Sequence, residues 1–592
     1  FYKGDLKEFV INEITSDCVD KLNQIDNSIN WKLRANHISK YIKYRKKSDL
    51  DKIGIEVSNF AIVLYPWIEH FKNYYHKKEY LNHPKWDWFG VTTLFTFYWD
   101  ITIETILFAK TMVKDVNNLM VGGVLASIQP KEIEKATGIK PHCGTLHTPY
   151  KDIDTDNPYI IDELPLDYSI LDEIDYVYVD SAAYFSYATR GCIRRCPFCA
   201  VPILEPKYKP YLPLKERIER TKRLYGDKQN LLLMDNNVLA SKELPQIIED
   251  ICSCGFTPKA KYIEPNQYKI AIRNLRLGMN DRAYIRKCWK LLKEINEMKS
   301  LNEAERTQIY SLREQYGLLH SETCTKKALI ETYKDFAIFF EKKYSRQKGR
   351  LRYVDFNQGV DARLFTDERV SLLSKIAVRP LRIAFDNIKT ETAYTKALNL
   401  SVKYGFKDFS NYLLYNFDDK PVDLYHRLRV NVDLCEKLNV SIYSFPMKYH
   451  PIREEHSHDR DYIGIHWNRK YIRAVQAILN ATKGKVGRGL SFFEKAFGHN
   501  EEEYMELLIM PETFLLFRLF FEHLGYTQKW REAMHELSVE EKKELYPIIF
   551  KNDFNNIEEL TSNGKFRYIL RFYKNYRADI ANHESDLYKL KK

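Results

Sequence analysis

Cysteine is scarce in this sequence, with ten in 592 residues. That scarcity excludes a disulfide framework, which a chain long enough to build full hydrophobic cores does not need. A long apolar run free of charge is also missing, because the most apolar stretch, residues 505–524, carries three glutamates and an arginine. A simple membrane span is thereby excluded. With no positively charged and then apolar leader at its start, the chain is expected to be cytoplasmic, in a reducing compartment.

Internal repeats, low-complexity linkers and a concentrated tract of one charge are absent as well. The net charge is +12, but Lys and Arg are spread along the chain. A positive surplus suits nucleic-acid binding, since Lys and Arg neutralise phosphates. The same surplus of positive charge is explained equally well by AT-rich coding DNA, because the proteins that such DNA encodes are rich in Lys, Asn, Ile, Tyr and Phe together. The sequence therefore leaves nucleic acid as one possible binding partner, and it predicts no membrane partner.

What the chain does have is a change of pattern along its length. Residues 1–52 are charged and lack strand-like alternation, which predicts a helical segment with a solvated face. Residues 53–180 alternate strands with helices, which is typical of a small Rossmann-like domain with a parallel sheet. The predicted strands there are 60–65, 88–97 and 118–125, and the predicted helices are 101–113 and 130–136.

Residues 181–455 predict six β/α units, counted from the apolar stretch that precedes a cysteine-rich loop. Six units are too few for a closed eight-stranded barrel, so the fold class is α/β with a partial (β/α)6 TIM-like barrel. The charged stretch 258–350 is far longer than a crossover and predicts a helical insertion. Residues 456–592 show helical periodicity, and Ser538-Val-Glu-Glu541 matches a capping box. The predicted strands after the cysteines are 230–234, 353–356, 381–385, 411–415 and 440–445.

The most informative feature is the cysteine-rich loop, where Cys192, Cys196 and Cys199 form a Cys-x3-Cys-x2-Cys run. Three thiolates on one short loop can hold three irons of a [4Fe–4S] cluster and leave the fourth iron open to a ligand that is not protein. The alternative is a structural zinc site, which needs four ligands, usually as two spaced pairs. No second Cys-x2-Cys pair exists, and His142 and Cys143 lie far upstream. The spacing therefore favours a cluster.

The run Arg190-Gly-Cys-Ile-Arg-Arg-Cys-Pro-Phe-Cys199 resembles the signature of the radical S-adenosylmethionine (SAM) superfamily, and the likeness spans residues 181–452. It implies that Cys192, Cys196 and Cys199 ligate three irons, that SAM chelates the fourth, and that a reductant such as flavodoxin or ferredoxin supplies an electron. The electron splits SAM into methionine and a 5′-deoxyadenosyl radical. That radical abstracts hydrogen from a substrate that the sequence does not identify.

The resemblance also implies cofactor-binding residues at the strand ends. Phe198 would pack near the adenine. Asp235, Asn236 and Asn237 stand where the family carries polar groups for the SAM amine, although its usual glycine pair is absent here. Polar residues also follow the later strands, and they would line the same pocket because these strands end at one rim of the sheet. The further cofactor-binding residues implied in this way are Arg363, Asp386 and Asn416.

Residues 53–180 resemble the cobalamin-binding-like domain that precedes the radical SAM core in one large subgroup. The likeness is carried by residues 91–97 and by 122–130, where Gly122 and Gly123 would let backbone approach a ligand. No Asp-x-His-x-x-Gly run supplies an axial histidine, so a scaffold without cobalamin is the competing interpretation. A cobalamin-dependent methyltransferase is thus one alternative function. A nucleic-acid- or partner-binding protein with a relic core is another.

Two further motifs have a structural and a functional interpretation. Cys252 and Cys254 are candidate ligands of an auxiliary iron–sulfur cluster. The favoured alternative is that they lie at an ordinary helix end capped by Gly255. The basic loop Lys483-Gly-Lys-Val-Gly-Arg-Gly489 is a candidate for contact with phosphate. The alternative is a flexible connection, because the loop lacks the ending of a phosphate-binding loop. The insertion 258–350 and the C-terminal helices are expected to recognise the substrate.

Overall fold

The computed structural model describes residues 6–147, 160–174, 176–178, 180–453 and 455–574. The protein is a mixed α/β structure, mostly helical, with small parallel sheets. Within those ranges no helix has the length and apolar character needed to cross a membrane. The parts of the predicted terminal helical segments at residues 1–5 and 575–592 lie outside the described residues.

Four helices pack together at the N-terminus, and the first three confirm the helical character predicted for residues 1–52. The strand predicted at 60–65 is wrong, because these residues begin a helix in which Leu64 and Ile68 are buried while Ile62 is 90% exposed. A short apolar run is compatible with a strand or a helix, but two buried residues spaced four positions apart are typical of a helix. The four helices are α1 (Leu6–Ile25), α2 (Ala35–Tyr44), α3 (Lys47–Ile53) and α4 (Ala61–His76).

A two-stranded parallel unit follows. Its strands pair from Phe89 beside Leu119 to Thr93 beside Gly123, joined by a crossover helix. The strands predicted at 88–97 and 118–125 are therefore confirmed, although both are shorter than predicted, and the two predicted helices are confirmed as well. The elements are β1 (Phe89–Thr93), α5 (Trp99–Met112), β2 (Leu119–Gly123), α6 (Val124–Ile128) and α7 (Pro130–Thr137).

The central region contains six parallel strands in two sheets, ordered β3-β4-β7 and β10-β9-β8. Parallel bridges from Val354 to Val378 and from Val360 to Ile383 link the two sheets. Among the described residues no pairing joins β3 to β10, so no closed barrel forms. The six strands are β3 (Ala183–Ser186), β4 (Asn230–Leu233), β7 (Val354–Phe356), β8 (Leu381–Arg382), β9 (Asp408–Tyr415) and β10 (Ser441–Lys448). Two short strands outside these sheets, β5 (Lys261–Tyr262) and β6 (Arg350–Leu351), lie between β4 and β7 in the chain.

Each strand predicted after the cysteines is present, although β8 is shorter than predicted. Helices pack on one side of these strands, and they share a core that includes Leu233, Leu413 and Leu428. The helices around the six strands are α8 (Val201–Leu204), α9 (Leu214–Tyr225), α10 (Leu244–Ser253), α16 (Asp367–Leu373), α17 (Glu391–Lys403) and α18 (Pro421–Leu438).

The predicted insertion is confirmed as a helical unit with its own core around Tyr268, Leu292 and Phe340. The antiparallel pair β5–β6 ties its two ends together. The insertion branches from the central strands beside the amino ends of β4 and β7, where Arg352 donates a hydrogen bond to Asp227. Its helices are α11 (Gln267–Arg276), α12 (Asp281–Asn296), α13 (Glu303–Gln315), α14 (Lys326–Glu331) and α15 (Tyr333–Ser345).

The C-terminal region consists of helices joined by loops in its described residues, and it belongs to the same core as the six strands. The predicted capping box is confirmed: the Glu541 backbone N–H donates to Ser538 Oγ at 3.1 Å, and the Ser538 backbone N–H donates to Glu541 at 2.8 Å. The helices are α19 (Arg469–Ala481), α20 (Leu490–Phe497), α21 (Glu501–Ile509), α22 (Glu512–Leu516), α23 (Arg518–His523), α24 (Tyr526–His535), α25 (Val539–Lys551), α26 (Ile557–Leu560) and α27 (Gly564–Arg571).

Candidate functional site

A cavity of about 370 Å³ lies at the carboxyl ends of β4, β7 and β8. A volume of this size suits a small-molecule ligand. Among the residues predicted for the site, Asp235 and Asn416 do not line this cavity. Those that the fold brings together on its wall are Cys192, Cys196, Cys199, Phe198, Asn236, Asn237, Arg363 and Asp386.

The three cysteines are free thiols, each partly buried, on the loop between β3 and α8. Burial raises the pKa of the Cys196 and Cys199 thiols, and nearby Cys192 and Asp386 raise it further. Within the described part of the chain, no three Cys, His, Asp or Glu side chains are grouped closely enough to ligate a single ion. The thiols therefore share a cavity without converging on one point.

The loop is closed at its base by backbone and by one glutamate. Arg190 and Lys209 exchange backbone hydrogen bonds of 3.1 and 2.9 Å. Glu205 accepts from Arg190 at 2.6 Å, from the Gly191 backbone N–H at 2.5 Å, and from the Asn236 amide at 3.1 Å. Glu205 thus connects the cysteine loop to the residues that follow β4, because its two oxygens bond to both.

Gly191, which precedes the first cysteine, has a backbone conformation that only glycine adopts without strain. Its φ is +73°, and an ideal Cβ there would lie 2.8 Å from the Lys207 carbonyl oxygen and 2.9 Å from that of Glu205. Backbone atoms cannot move aside as a side-chain end does. This glycine is therefore required for the loop to close.

Asp235, at the end of β4, faces the loop from the buried side. Its carboxylate accepts from the backbone N–H groups of Ala188 and Thr189, and from the Thr189 hydroxyl at 2.6 Å. Burial raises the pKa of Asp235 to about 6, and those hydrogen bonds oppose the rise. The structure places this side chain beneath the chain that enters the cysteine loop, so its prediction as a cofactor-binding residue stays a prediction.

The neighbouring asparagines lie on the cavity side. The Asn237 amide nitrogen is 3.7 Å from Cys192 Sγ. Its Oδ1 is buried and has no hydrogen-bond partner among the residues that the structure describes. A buried acceptor without a donor costs free energy, about 1–3 kcal/mol, unless a ligand supplies one. This atom is the clearest indication that the cavity takes a ligand with a hydrogen-bond donor.

A chain of ion pairs links the loop to the residues after β7. Asp361 accepts from Arg194 at 2.9 Å and from Arg363 at 2.7 Å. All three residues line the cavity. Burial alone would raise the pKa of the Asp361 carboxyl, but its bonds to Arg363 and Arg194 bring it below the usual range. Asp361 thereby orients two guanidinium groups at the cavity wall.

Asp386 follows β8, and burial raises the pKa of its carboxyl to about 6 against the opposing charges of Arg427 and Arg363. Arg427 is wholly buried on α18 and donates to the Asp386 backbone carbonyl at 2.7 Å and to Asp419 at 3.1 Å. Arg427 thus fixes the segment that carries Asp386. Glu205, Asp361 and Arg427 were not predicted as site residues, because their roles depend on partners remote in sequence.

Asn416 occupies a buried turn after β9 with φ of +69°. Its amide donates to the carbonyls of Tyr449 and Tyr462 and accepts from the Gly464 backbone N–H at 2.7 Å. All of its polar atoms are thus used within the chain, and its cofactor role stays a prediction. Phe198 packs edge-on against Phe417 with ring centroids 5.9 Å apart, which holds its ring beside this turn.

The β1–β2 unit packs beside the same site. Gln129 donates to Ser457 Oγ at 2.7 Å and contacts His458 Nε2 at 2.7 Å, while Trp99 stacks on His458. An ideal Cβ on Gly123 would lie 2.3 Å from the Thr93 carbonyl oxygen, so packing of β2 on β1 explains that glycine. Cobalamin binding stays a prediction.

The remaining motifs lie elsewhere. Gly255, with φ of +85°, ends α10, and its N–H donates to the Cys252 carbonyl at 2.9 Å, which confirms the helix-end interpretation of the Cys252–Cys254 motif. The insertion leaves from the amino ends of the strands and contributes no residue to the cavity wall. Its predicted role in recognising substrate therefore has no support from its position.

No protein-family model matches this chain, and no curated protein matches it significantly.

Proposed function

We propose that this chain is a radical SAM enzyme, in which Cys192, Cys196 and Cys199 hold a [4Fe–4S] cluster and the adjoining cavity binds SAM. One observation carries the proposal: three free thiols on one loop share a cavity with polar side chains from the carboxyl ends of several parallel strands. In folds of this kind, that edge is where ligands bind and react. The reacting substrate remains to be identified.

The residues fit the cofactors by chemistry. Thiolates are the usual ligands of iron–sulfur clusters. In such a cluster each cysteine binds a different iron, so the three sulfurs need not converge on one point, as a single zinc would require. The unpartnered Oδ1 of Asn237, beside Cys192, is an acceptor available to a ligand amine.

When bound, the cluster and SAM supply a reducing electron and a 5′-deoxyadenosyl radical that abstracts hydrogen. The chain's own residues would orient them. Asp235 and Glu205 hold the chain where it enters the cysteine loop, and Asp361 holds Arg194 and Arg363 at the cavity wall. Phe198 supplies an apolar face against which an adenine ring can pack. Asp386 supplies a carboxyl group at the cavity wall.

The architecture that we propose is a partial (β/α)6 barrel with an N-terminal Rossmann-like domain and a C-terminal helical region. The strands β3, β4, β7, β8, β9 and β10 occur in chain order across two linked parallel sheets, which supports the partial barrel. The parallel pair β1–β2 with its crossover α5 supports the Rossmann-like unit.

The test is anaerobic reconstitution with iron and sulfide, followed by incubation with SAM and dithionite. We expect iron and sulfide to be retained and 5′-deoxyadenosine and methionine to form. Cys196→Ala should abolish both, whereas the matched control Cys252→Ala, in a cysteine at a helix end, should change neither. A reconstituted protein that retains the cluster but yields no cleavage product with any reductant would refute the enzyme assignment.

A further inference from the structure

The basic glycine loop at residues 483–489 covers the outer edge of β10. The Ser444 backbone N–H donates to the Val486 carbonyl at 2.7 Å, and the Val486 N–H donates back to Ser444 at 2.9 Å. Val486 is buried, while Lys483, Lys485 and Arg488 are exposed. The loop is therefore fixed to the sheet by its middle residue, and its cations project around that anchor.

An aromatic ring lies among these cations. Tyr443 is 41% exposed, and Lys485 Nζ lies 5.3 Å from its ring centroid. An ideal Cβ on Gly487 would lie 3.0 Å from the ring, so the glycine lets the loop lie directly against it. We call Tyr443, Lys483, Lys485 and Arg488 the basic edge.

The charges of the basic edge are largely uncompensated within the described residues. Arg488 approaches Glu436 at 3.8 Å, but Lys483 and Lys485 have no acidic partner there. A solvated lysine alone indicates nothing. Two unpaired lysines and an arginine grouped around an exposed, supported aromatic ring form the combination that binds nucleic-acid strands, in which cations contact phosphates and the ring stacks on a base.

We propose that the basic edge binds single-stranded nucleic acid, with a base on Tyr443 and backbone phosphates on Lys483, Lys485 and Arg488. A phosphate-loop nucleotide site is the weaker interpretation, because the loop is tied to a strand edge and lacks the Gly-Lys-Ser/Thr ending. This binding is independent of the proposed radical chemistry, since it needs neither cluster nor SAM.

The experiment measures binding of a fluorescein-labelled twelve-nucleotide oligouridylate to the full chain by anisotropy, over a series of salt concentrations. We expect K483A/K485A/R488A to lower the slope of log affinity against log salt by about 2, since three phosphate contacts are lost. Y443A should weaken binding at least about fivefold, and Y443F, which keeps the ring, should bind like the parent protein. Thermal melting checks that each variant is folded.

The matched control is K299A/K327A/K334A, which removes three exposed charges from the insertion, a separate helical unit with its own core. It should leave the slope nearly unchanged. An equal loss in both triple variants would overturn the proposal, because it would show binding to net charge alone. Displacement of the oligomer by millimolar uridine monophosphate or inorganic phosphate would also overturn it, in favour of a mononucleotide or anion site.

Discussion

The two ends of β4 and β7 differ in how their polar groups are paired. At the amino ends, Asp227 accepts from Tyr184 at 2.7 Å and from Arg352 at 3.1 Å, and Arg352 also donates to the Lys228 carbonyl at 2.8 Å. At the carboxyl ends, the wall of the cavity carries three cysteines outside any disulfide, and the buried Oδ1 of Asn237 has no partner among the described residues. Groups that satisfy one another stabilise the fold, whereas groups left unsatisfied indicate where a ligand binds.

The largest effect is expected at the carboxyl end, from Gly191→Ala. The new Cβ would lie 2.8 Å from a backbone oxygen at a φ of +73°, so the cysteine loop cannot close as it does now. We expect nearly all reconstituted iron to be lost, measured as iron per chain, while circular dichroism stays close to that of the parent.

The control for that change is Gly278→Ala, because Gly278 has a φ of +70° but nothing within 4 Å of its Cβ position. It should cost about 1 kcal/mol of stability and no iron. If Gly191→Ala retains its iron, the loop is not held as the geometry indicates, and the contrast between the two strand ends loses its main support.

Much of the carboxyl end was predictable, because parallel strands place their ends at one edge. The resemblance to the radical SAM superfamily implied Asn236, Asn237, Arg363 and Asp386 at such strand ends, and all four line the cavity. The sequence pattern could not predict whether each side chain faces the cavity or the buried side. Asp235 precedes Asn236 by one position, yet its carboxylate turns to the buried side and accepts from the backbone that enters the cysteine loop, because the chain has left β4 and no longer follows a regular strand pattern.

Two other features were beyond prediction for different reasons. The apolar run at 60–65 has too few residues to separate a strand from a helix, and contacts with the other N-terminal helices decide it. Glu205 and Arg427 are ordinary charged residues in the sequence. Their importance comes from partners brought close only by folding, such as Gly191 and the Asp386 carbonyl.

At the amino end, Arg352→Met should affect stability and leave the cavity intact. Arg352 is mostly buried, and its loss removes the cation paired with Asp227, which keeps the Tyr184 hydroxyl, and a donor to the Lys228 carbonyl. We expect the free energy of unfolding to fall by about 2–4 kcal/mol in urea titrations, with iron per folded chain unchanged. A loss of iron with little loss of stability would reverse the assignment of the two ends.

Lys470 tests how far the rule on unpaired groups extends. It is wholly buried in α19, its amine has no hydrogen-bond partner within the described part of the chain, and burial lowers its pKa to about 7. Because the unfolded chain holds the proton more tightly, stability should rise as pH increases from about 7 towards 10.

Lys470→Met should remove that slope and add about 2 kcal/mol at pH 7, measured by urea unfolding at several pH values. An increase of this kind marks the lysine as an unpaired group that serves no ligand. A decrease would instead indicate that the buried amine has a partner in solution, and it would place Lys470 with Asn237 among the ligand-binding groups.

The smallest effect is expected from Cys252→Ala with Cys254→Ala, which compares the two cysteine groups of the central region. The Cys252 thiol donates to the Lys375 carbonyl at 3.5 Å, and both residues pack against the core at the end of α10. Because these thiols are already used in packing, the double variant should lose at most about 1 kcal/mol of stability and none of its iron. A measurable drop in iron per chain would show a second cluster there, and the division between a ligand-binding loop and a structural helix end would have to be abandoned.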